Sequence, residues 1–360
     1  MPRLDGWLRT LKEQGGSDLH LAAGAVPRLR AKGALRQIEG ENALSDAELR
    51  DAMREIVSPE QWHEYESTGD LDFAYGLAGV ARFRANFLVQ ENGASAIFRM
   101  VPEEIKSVEQ LGLPPAISSL ADLNKGLVLV TGPTGSGKST TLAAIIDAIN
   151  ANHVKHIVTI EDPVEFVHQN KRSVLSHREV GAHTGSFAEA VRAAIRQDAD
   201  VVLVGEMRDR ETMQMAITAA EMGLLVFGTL HTNGAARSID RIVDAFPTAD
   251  QPQIRLSLSD SLAGIVAQLL LPSANGKGRH AVYEILLRTQ GLPNVIREGN
   301  SALLASIIQA GKAQGMQSMD DALFAAAKEG KVKPADAHAK ATDKARFEPL
   351  LSAEDKSAAA

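Results

Sequence analysis

Gly132, Pro133, Thr134, Gly135, Ser136, Gly137, Lys138, Ser139 and Thr140 form an unbroken run whose residue types suit one kind of chemistry. An apolar stretch, Leu127–Thr131, leads into the run, and a helical pattern from Leu142 to Asn150 leaves it. Strand, glycine-rich turn and helix start are the setting of a phosphate-binding loop. The first backbone N–H groups of a helix have no partner within it and carry partial positive charge, so they attract anions. Gly132, Gly135 and Gly137 let the chain curl closely around phosphates where a Cβ would clash. Lys138 then reaches the β- and γ-phosphates, and the Ser139 hydroxyl ligates Mg²⁺. An ordinary glycine-rich turn is the competing explanation, and the complete pattern with both flanks weighs against it.

Three more segments place polar groups at the ends of apolar runs. Val201–Val204 leads to Glu206, which could hold Mg²⁺ through water or orient an attacking water. It could also be a helix-capping or surface acid. Thr159–Glu165 ends another run with Glu161, Asp162 and Glu165, and Pro163 fixes the turn among them. Three acids so close repel unless a cation or arginines share the site, or the turn is simply solvated. Gly228–Thr232 ends a further run at His231, which could sense a γ-phosphate, position water or serve a structural role. Phosphoryl transfer also needs positive charge, commonly an arginine from a neighbouring subunit. Arg82, Arg84 and Arg99 share one side of their strands; Arg196, Arg208 and Arg210 flank the Glu206 segment.

The elements that must position these residues fall into two parts. In the first, Ser17–Ala22 and Val26–Leu35 predict short strands, and Ser45 or Asp46 caps a helix with Glu48 placed for a capping box. Ala81–Leu88 alternates strictly, with Phe83 and Phe87 on one side and Arg82 and Arg84 on the other. Ala94–Met100 repeats the pattern, giving an α+β domain over 1–101. A linker over 102–116 contains the stiff Gly112–Pro115. From 117 to 335 the expectation is α/β: strands 126–131, 156–160, 201–204 and 225–229 alternate with helices 140–150, 187–197 and 211–221. Nearly continuous apolar strands predict a parallel sheet covered on both faces. Beyond Pro247 the spacing reads as helical over 251–271, 301–310 and 318–329, with a short strand at 281–286. Residues 336–360 are expected to be a flexible tail.

Composition excludes several classes. With 360 residues the chain exceeds one ordinary core, and 44% apolar with 23% charged residues describes a globular protein. A net charge of −7 argues against a nucleic-acid coat. The absence of cysteine removes disulfides, thiolate zinc sites and cysteine nucleophiles. No apolar run approaches the ~18 residues of a membrane span, so a cytoplasmic location, with membrane work through partners, is expected.

Together these segments resemble the secretion ATPase superfamily, most closely the type IV pilus retraction ATPases of the PilT type. Gly16–Leu21 resembles the family's N-terminal strand, Gly132–Thr140 its Walker A loop and Thr159–Phe166 its Asp box. Asp200–Glu206 with Met207–Thr212 resembles Walker B, Gly223–Thr232 the His box, and Gly315–Leu323 the C-terminal signature. The resemblance implies a homohexamer whose subunits join a PAS-like N-terminal domain to a RecA-like P-loop NTPase domain, with ATP and Mg²⁺ bound between them. It makes Lys138 the phosphate lysine, Glu206 the catalytic glutamate, and Glu161 and Glu165 acids near the metal. His231 becomes the His-box residue, and Arg84 and Arg99 fall where family members offer arginines to the nucleotide. Metal ligation falls to Ser139, Glu161 and Glu206. The implied work is pilus disassembly at the cytoplasmic face of the inner membrane, through a platform protein and in the company of other pilus ATPases.

Two departures stand out. Gly223 is followed by Leu224 where the family usually has histidine, and Gly291–Pro293 replaces the usual Ala-Ile-Arg before Asn294–Gly299. Extension motors usually carry a further N-terminal domain and a four-cysteine zinc site, which this sequence does not match. An assembly or secretion motor of the same superfamily is the first alternative. A RecA-like nucleic-acid translocase is disfavoured by the acidic balance and few aromatics, and a non-hydrolysing regulator by Lys138 and Glu206.

Overall fold

The computed structural model describes residues 2–31, 33–101 and 104–351. Two compact units divide the chain, Met1–Glu104 with Pro163–Val167, and Ile105–Asp162 with His168–Ala360. In the first, helix α1 (Arg3–Glu13) precedes strands β1 (Asp18–Ala22), β2 (Arg28–Ala31) and β3 (Ala34–Gln37). Helices α2 (Asp46–Arg54) and α3 (Pro59–Thr68) follow, then strands β4 (Asp70–Leu77), β5 (Ala81–Gln90) and β6 (Gly93–Val101). The strands form an antiparallel sheet in the order β3-β2-β1-β6-β5-β4. Alternation sets its faces: Phe83 and Phe87 of β5 and Phe98 of β6 are buried with Leu4 and Leu8 of α1, Met53 of α2 and Tyr65 of α3. On β5 and β6, Arg84 and Arg99 are register partners, and Asp18 of β1 is the partner of Arg99 on its other side. Ser45 and Glu48 close the expected capping box, and Ser58 with Gln61 closes a second one at α3.

The second unit begins with helix α4 (Pro115–Ser118) and strand β7 (Gly126–Thr131), then helix α5 (Lys138–Asn152) and strands β8 (His156–Glu161) and β9 (Val174–Glu179). Helix α6 (Phe187–Ile195), strand β10 (Val201–Val204), helix α7 (Arg210–Glu221) and strand β11 (Leu225–Leu230) continue the alternation. Seven strands run in the order β13-β12-β7-β11-β10-β8-β9, where β12 is Leu262–Pro272 and β13 is Arg279–Leu287. Only the β12–β13 pair is antiparallel. Leu127 and Leu129 enter the core on one face, and Val128 and Val130 the core on the other. Burial on both faces is why these strands read as unbroken apolar runs.

Two expectations change. The segment 251–271 is helix α9 (Gln251–Ser261) only as far as Ser261, and then becomes β12. β12 is buried between β7 and β13, and a continuous apolar run fits a buried strand as well as a helix. Helices α8 (Ala235–Asp244), α10 (Leu292–Glu298), α11 (Leu304–Ala310) and α12 (Met319–Lys328) complete this part. The second change concerns the tail, which is packed through Leu350 rather than loose from 336. Helix α13 (Pro334–Lys340) buries Ala337, and Ala341 and Phe347 join Leu271, Val282 and Leu323 in one apolar cluster. The Phe347 ring meets Phe324 edge-on at 5.6 Å. Arg346 lies over Phe324 and pairs with Asp321 at 2.7 Å. Charge-rich composition hid three apolar residues that share one side. Residues 352–360 of the expected tail, and 102–103 of the expected linker, lie outside the described residues. No described helix is long and apolar enough to cross a membrane.

Phe347→Ala should lower unfolding free energy by about 3–5 kcal/mol in urea denaturation, the scale for truncating a buried aromatic. A loss within about 0.5 kcal/mol, the surface scale, would mean that the segment is loosely held.

Candidate nucleotide site

Strands β7, β11, β10 and β8 are neighbours and parallel, so their C-terminal ends share one edge of the sheet. Ligands in open α/β sheets bind at that edge. The loops leaving it carry Gly132–Thr140, His231, Glu206 and Glu161 in turn.

The loop after β7 is shaped from behind by β12. A Cβ on Gly132 would stand 2.2 Å from the Gln268 carbonyl oxygen and 2.8 Å from Ser136 Oγ. Gly137 opens α5 at φ 89°, a left-handed conformation, and has no side chain to cap the helix. Pro133, Thr134 and Gly135 form the exposed tip, while Ser139 and Thr140 are half-buried in the first turn of α5. Lys138 Nζ donates to the carbonyls of Gly132 at 2.8 Å and Pro133 at 3.2 Å, holding its charge over the loop. Ser136 Oγ is buried without a hydrogen-bond partner among the described residues. Backbone donors at a helix start, a lysine above them and a buried unpaired hydroxyl fit a polyphosphate.

Glu206 follows β10 through Gly205, whose N–H donates to the Ile160 carbonyl at 2.8 Å. A Cβ at Gly205 would lie 3.3 Å from Glu161 Cα, so the two acidic segments approach closely. Thr229 of β11 donates its hydroxyl to the Gly205 carbonyl, and Met207 N–H donates to the Thr229 carbonyl at 3.1 Å. Glu206 Oε1 lies 2.6 Å from Arg208 Nε and 2.9 Å from His231 Nε2. Burial alone would raise the Glu206 pKa, but the Arg208 hydrogen bond and charge, with His231, bring it below the ordinary glutamate value. The same hydrogen bond raises Arg208. Glu161 ends β8 as a buried carboxylate.

Lys138, Ser139, Glu161, Glu206 and His231 thus belong to one sheet edge in the second unit. Glu165 is half-buried in the segment grouped with the first unit. Arg84 and Arg99 are exposed on the first unit's sheet, and Arg99 Nε donates to Asp18 Oδ1 at 2.8 Å. Asp18 is opposed by its own burial, yet the Arg99 hydrogen bond holds its pKa below normal. The sequence marked Arg208 only as one of several flanking arginines, and missed Gln268 altogether. Its signal was a lone amide inside the apolar run Ile265–Leu271.

Hard oxygen donors suit magnesium, and the Ser139 hydroxyl with the Glu161 and Glu206 carboxylates is such a set. No group of three or more His, Cys, Asp or Glu among the described residues could hold a metal alone. Any magnesium here would therefore rely on phosphate oxygens as well.

Residues 7–334 match the model of the type II/IV secretion system protein family. The chain belongs to that family. It is 45% identical over 329 residues to the type IV pilus retractation ATPase PilT of Pseudomonas aeruginosa, spanning 91% of this chain and 95% of that protein. It is likewise 45% identical over 327 residues to a twitching motility protein of Neisseria gonorrhoeae, covering 91% and 87% of the two. The crystal structure of the pilus retraction motor PilT with bound ADP superimposes with a TM-score of 0.89 at 42% identity, over 96% of this chain and 99% of that one. The α/β fold, with an N-terminal domain and a RecA-like ATPase domain, is that family's fold.

The depressed Glu206 pKa adds stability above the ordinary value of 4.5, which is lost as pH falls below it through the folded value. In Arg208→Ala the burial effect loses its main opponent, so the Glu206 pKa should rise and its share of acid destabilisation should shrink. Carboxyl NMR titration of Glu206 in both proteins checks this; an unchanged midpoint would contradict the pairing.

Proposed function

We propose that the chain is a magnesium-dependent ATPase motor, working as a homohexamer, that powers type IV pilus retraction. The observation that carries this reading is the phosphate loop after β7 and the Glu206 carboxylate after β10, on the same edge of one sheet with β11 between them, in a chain similar to retraction motors over nearly its whole length. Backbone N–H groups of Gly132–Thr140 and the Lys138 ammonium hold the triphosphate. Ser139, Glu161 and Glu206 would hold Mg²⁺, with Glu165 as a further acid of the Glu161 segment, and the ion would supply positive charge at the phosphate oxygens. Glu206, kept ionised by Arg208 and His231, orients the attacking water and accepts its proton. His231 links that carboxylate to the γ-phosphate. Arg84 and Arg99 of a neighbouring subunit add positive charge as phosphoryl transfer proceeds.

The ring works at the cytoplasmic face of the inner membrane, passing force to a platform protein, and other pilus ATPases can share the task. Nucleic acid is not a partner. An assembly or secretion motor would use the same chemistry. The match to retraction relatives over 91% of the chain and a sequence without cysteine support retraction. Excess unretracted pili in a deletion strain is the expected phenotype; loss of pili would favour assembly.

Glu206→Gln should bind ATP and hydrolyse it about 100-fold more slowly, the scale for losing a positioned general base. Normal turnover in steady-state phosphate release would reject its role, and Lys138→Ala should lose turnover in the same assay. Arg84→Ala should cut turnover of the assembled protein with its melting temperature unchanged, whereas full activity would reject the arginine supplied in trans.

A further inference from the structure

Gln268 is buried in the middle of β12, yet its side chain belongs to the phosphate loop. Nε2 donates to the Ser136 carbonyl at 2.6 Å, and Oε1 accepts from the Thr141 hydroxyl of α5 at 2.8 Å. Because a carbonyl can only accept, this arrangement fixes which end of the amide is which. Tyr283 is the register partner of Gln268 on β13. The same strand limits the loop sterically, since a Cβ on Gly137 would stand 2.9 Å from Gln268 Nε2.

We propose that Gln268 is a positioning residue for the phosphate loop, setting its affinity for the β-phosphate of a nucleoside diphosphate or triphosphate. The proposal rests on the nucleotide reading given above. In a planar trans peptide the carbonyl of one residue and the N–H of the next point in opposite directions. Gln268 draws the Ser136 carbonyl toward β12, so the Gly137 N–H is turned away from β12, toward the open side of the loop. Without that anchor the 136–137 peptide is free to rotate, and a carbonyl oxygen could face the anion instead. Thr141 holds the amide oxygen, which keeps the amide nitrogen aimed at Ser136. Two hydrogen bonds, Thr141 to Gln268 and Gln268 to the Ser136 carbonyl, thus run from α5 through β12 to the anion site.

Gln268→Leu removes both hydrogen bonds at nearly constant volume, and Thr141→Val removes only the one that orients the amide. Titration of the full chain with a fluorescent ADP in magnesium buffer should show Kd raised about tenfold in Gln268→Leu, the scale of one lost hydrogen bond. Thr141→Val should give a smaller rise, and the double variant no more than Gln268→Leu alone. KM for ATP should rise with Kd while kcat at saturation changes less, a split that loosened packing does not produce. If Gln268→Leu fails to fold, Thr141→Val carries the test, and unchanged ADP affinity in it overturns the proposal. Wild-type protein that binds ADP, beside a folded Gln268→Leu that binds equally well, overturns the assignment of Gln268 alone. Wild-type protein that binds no ADP overturns the nucleotide reading itself.

Discussion

A loop that offers backbone N–H groups to an anion must forgo side chains wherever the chain turns back on itself. That constraint organises the second unit. Gly132 has no room for a Cβ because the backbone of β12 lies behind it, and Gly137 takes a left-handed conformation to start α5. Both depend on β7 being held between β11 and β12. The alternating burial of Leu127, Val128, Leu129 and Val130 in cores on opposite faces supplies that grip. Packing of ordinary apolar residues therefore fixes a loop whose own sequence is almost entirely small and polar.

Charge is managed next to that loop by sharing a single carboxylate oxygen. Glu206 is drawn below its usual pKa by Arg208 and His231 despite partial burial. The carboxylate is accordingly ionised at neutral pH. The strand ends bearing these residues are tied laterally by the Thr229 hydroxyl on the Gly205 carbonyl and by Gly205 on Ile160. The acids and the histidine are thus held on three adjacent strands, where small shifts of one strand reach the next.

Most of this site was legible because its residues sit where apolar runs stop. Gly132–Thr140, Glu206, Glu161 and His231 each follow a buried parallel strand, and a sheet covered on both faces writes such strands as plain apolar blocks. The same property misled at β12, where Ile265–Leu271 fits either a buried strand or the end of a helix. With β12 went Gln268, a polar residue whose partners, Ser136 and Thr141, lie more than a hundred residues earlier. Long-range pairing of that kind leaves no local periodicity. The segment from 336 failed for a different reason: its charged residues dominate the average, while Ala337, Ala341 and Phe347, with Leu350 beside them, make the contact. The aromatic alternation of Phe83, Phe87 and Phe98 was plain in sequence because an antiparallel sheet with one buried face writes a strict period of two.

We propose above all that the loop at Gly132–Thr140 holds a nucleotide polyphosphate. Calorimetric titration of the wild-type chain with ADP in magnesium buffer tests it most directly. One saturable site per chain, lost in Lys138→Ala, is the predicted result. Absence of binding heat across temperatures, or binding undiminished by Lys138→Ala, would contradict it.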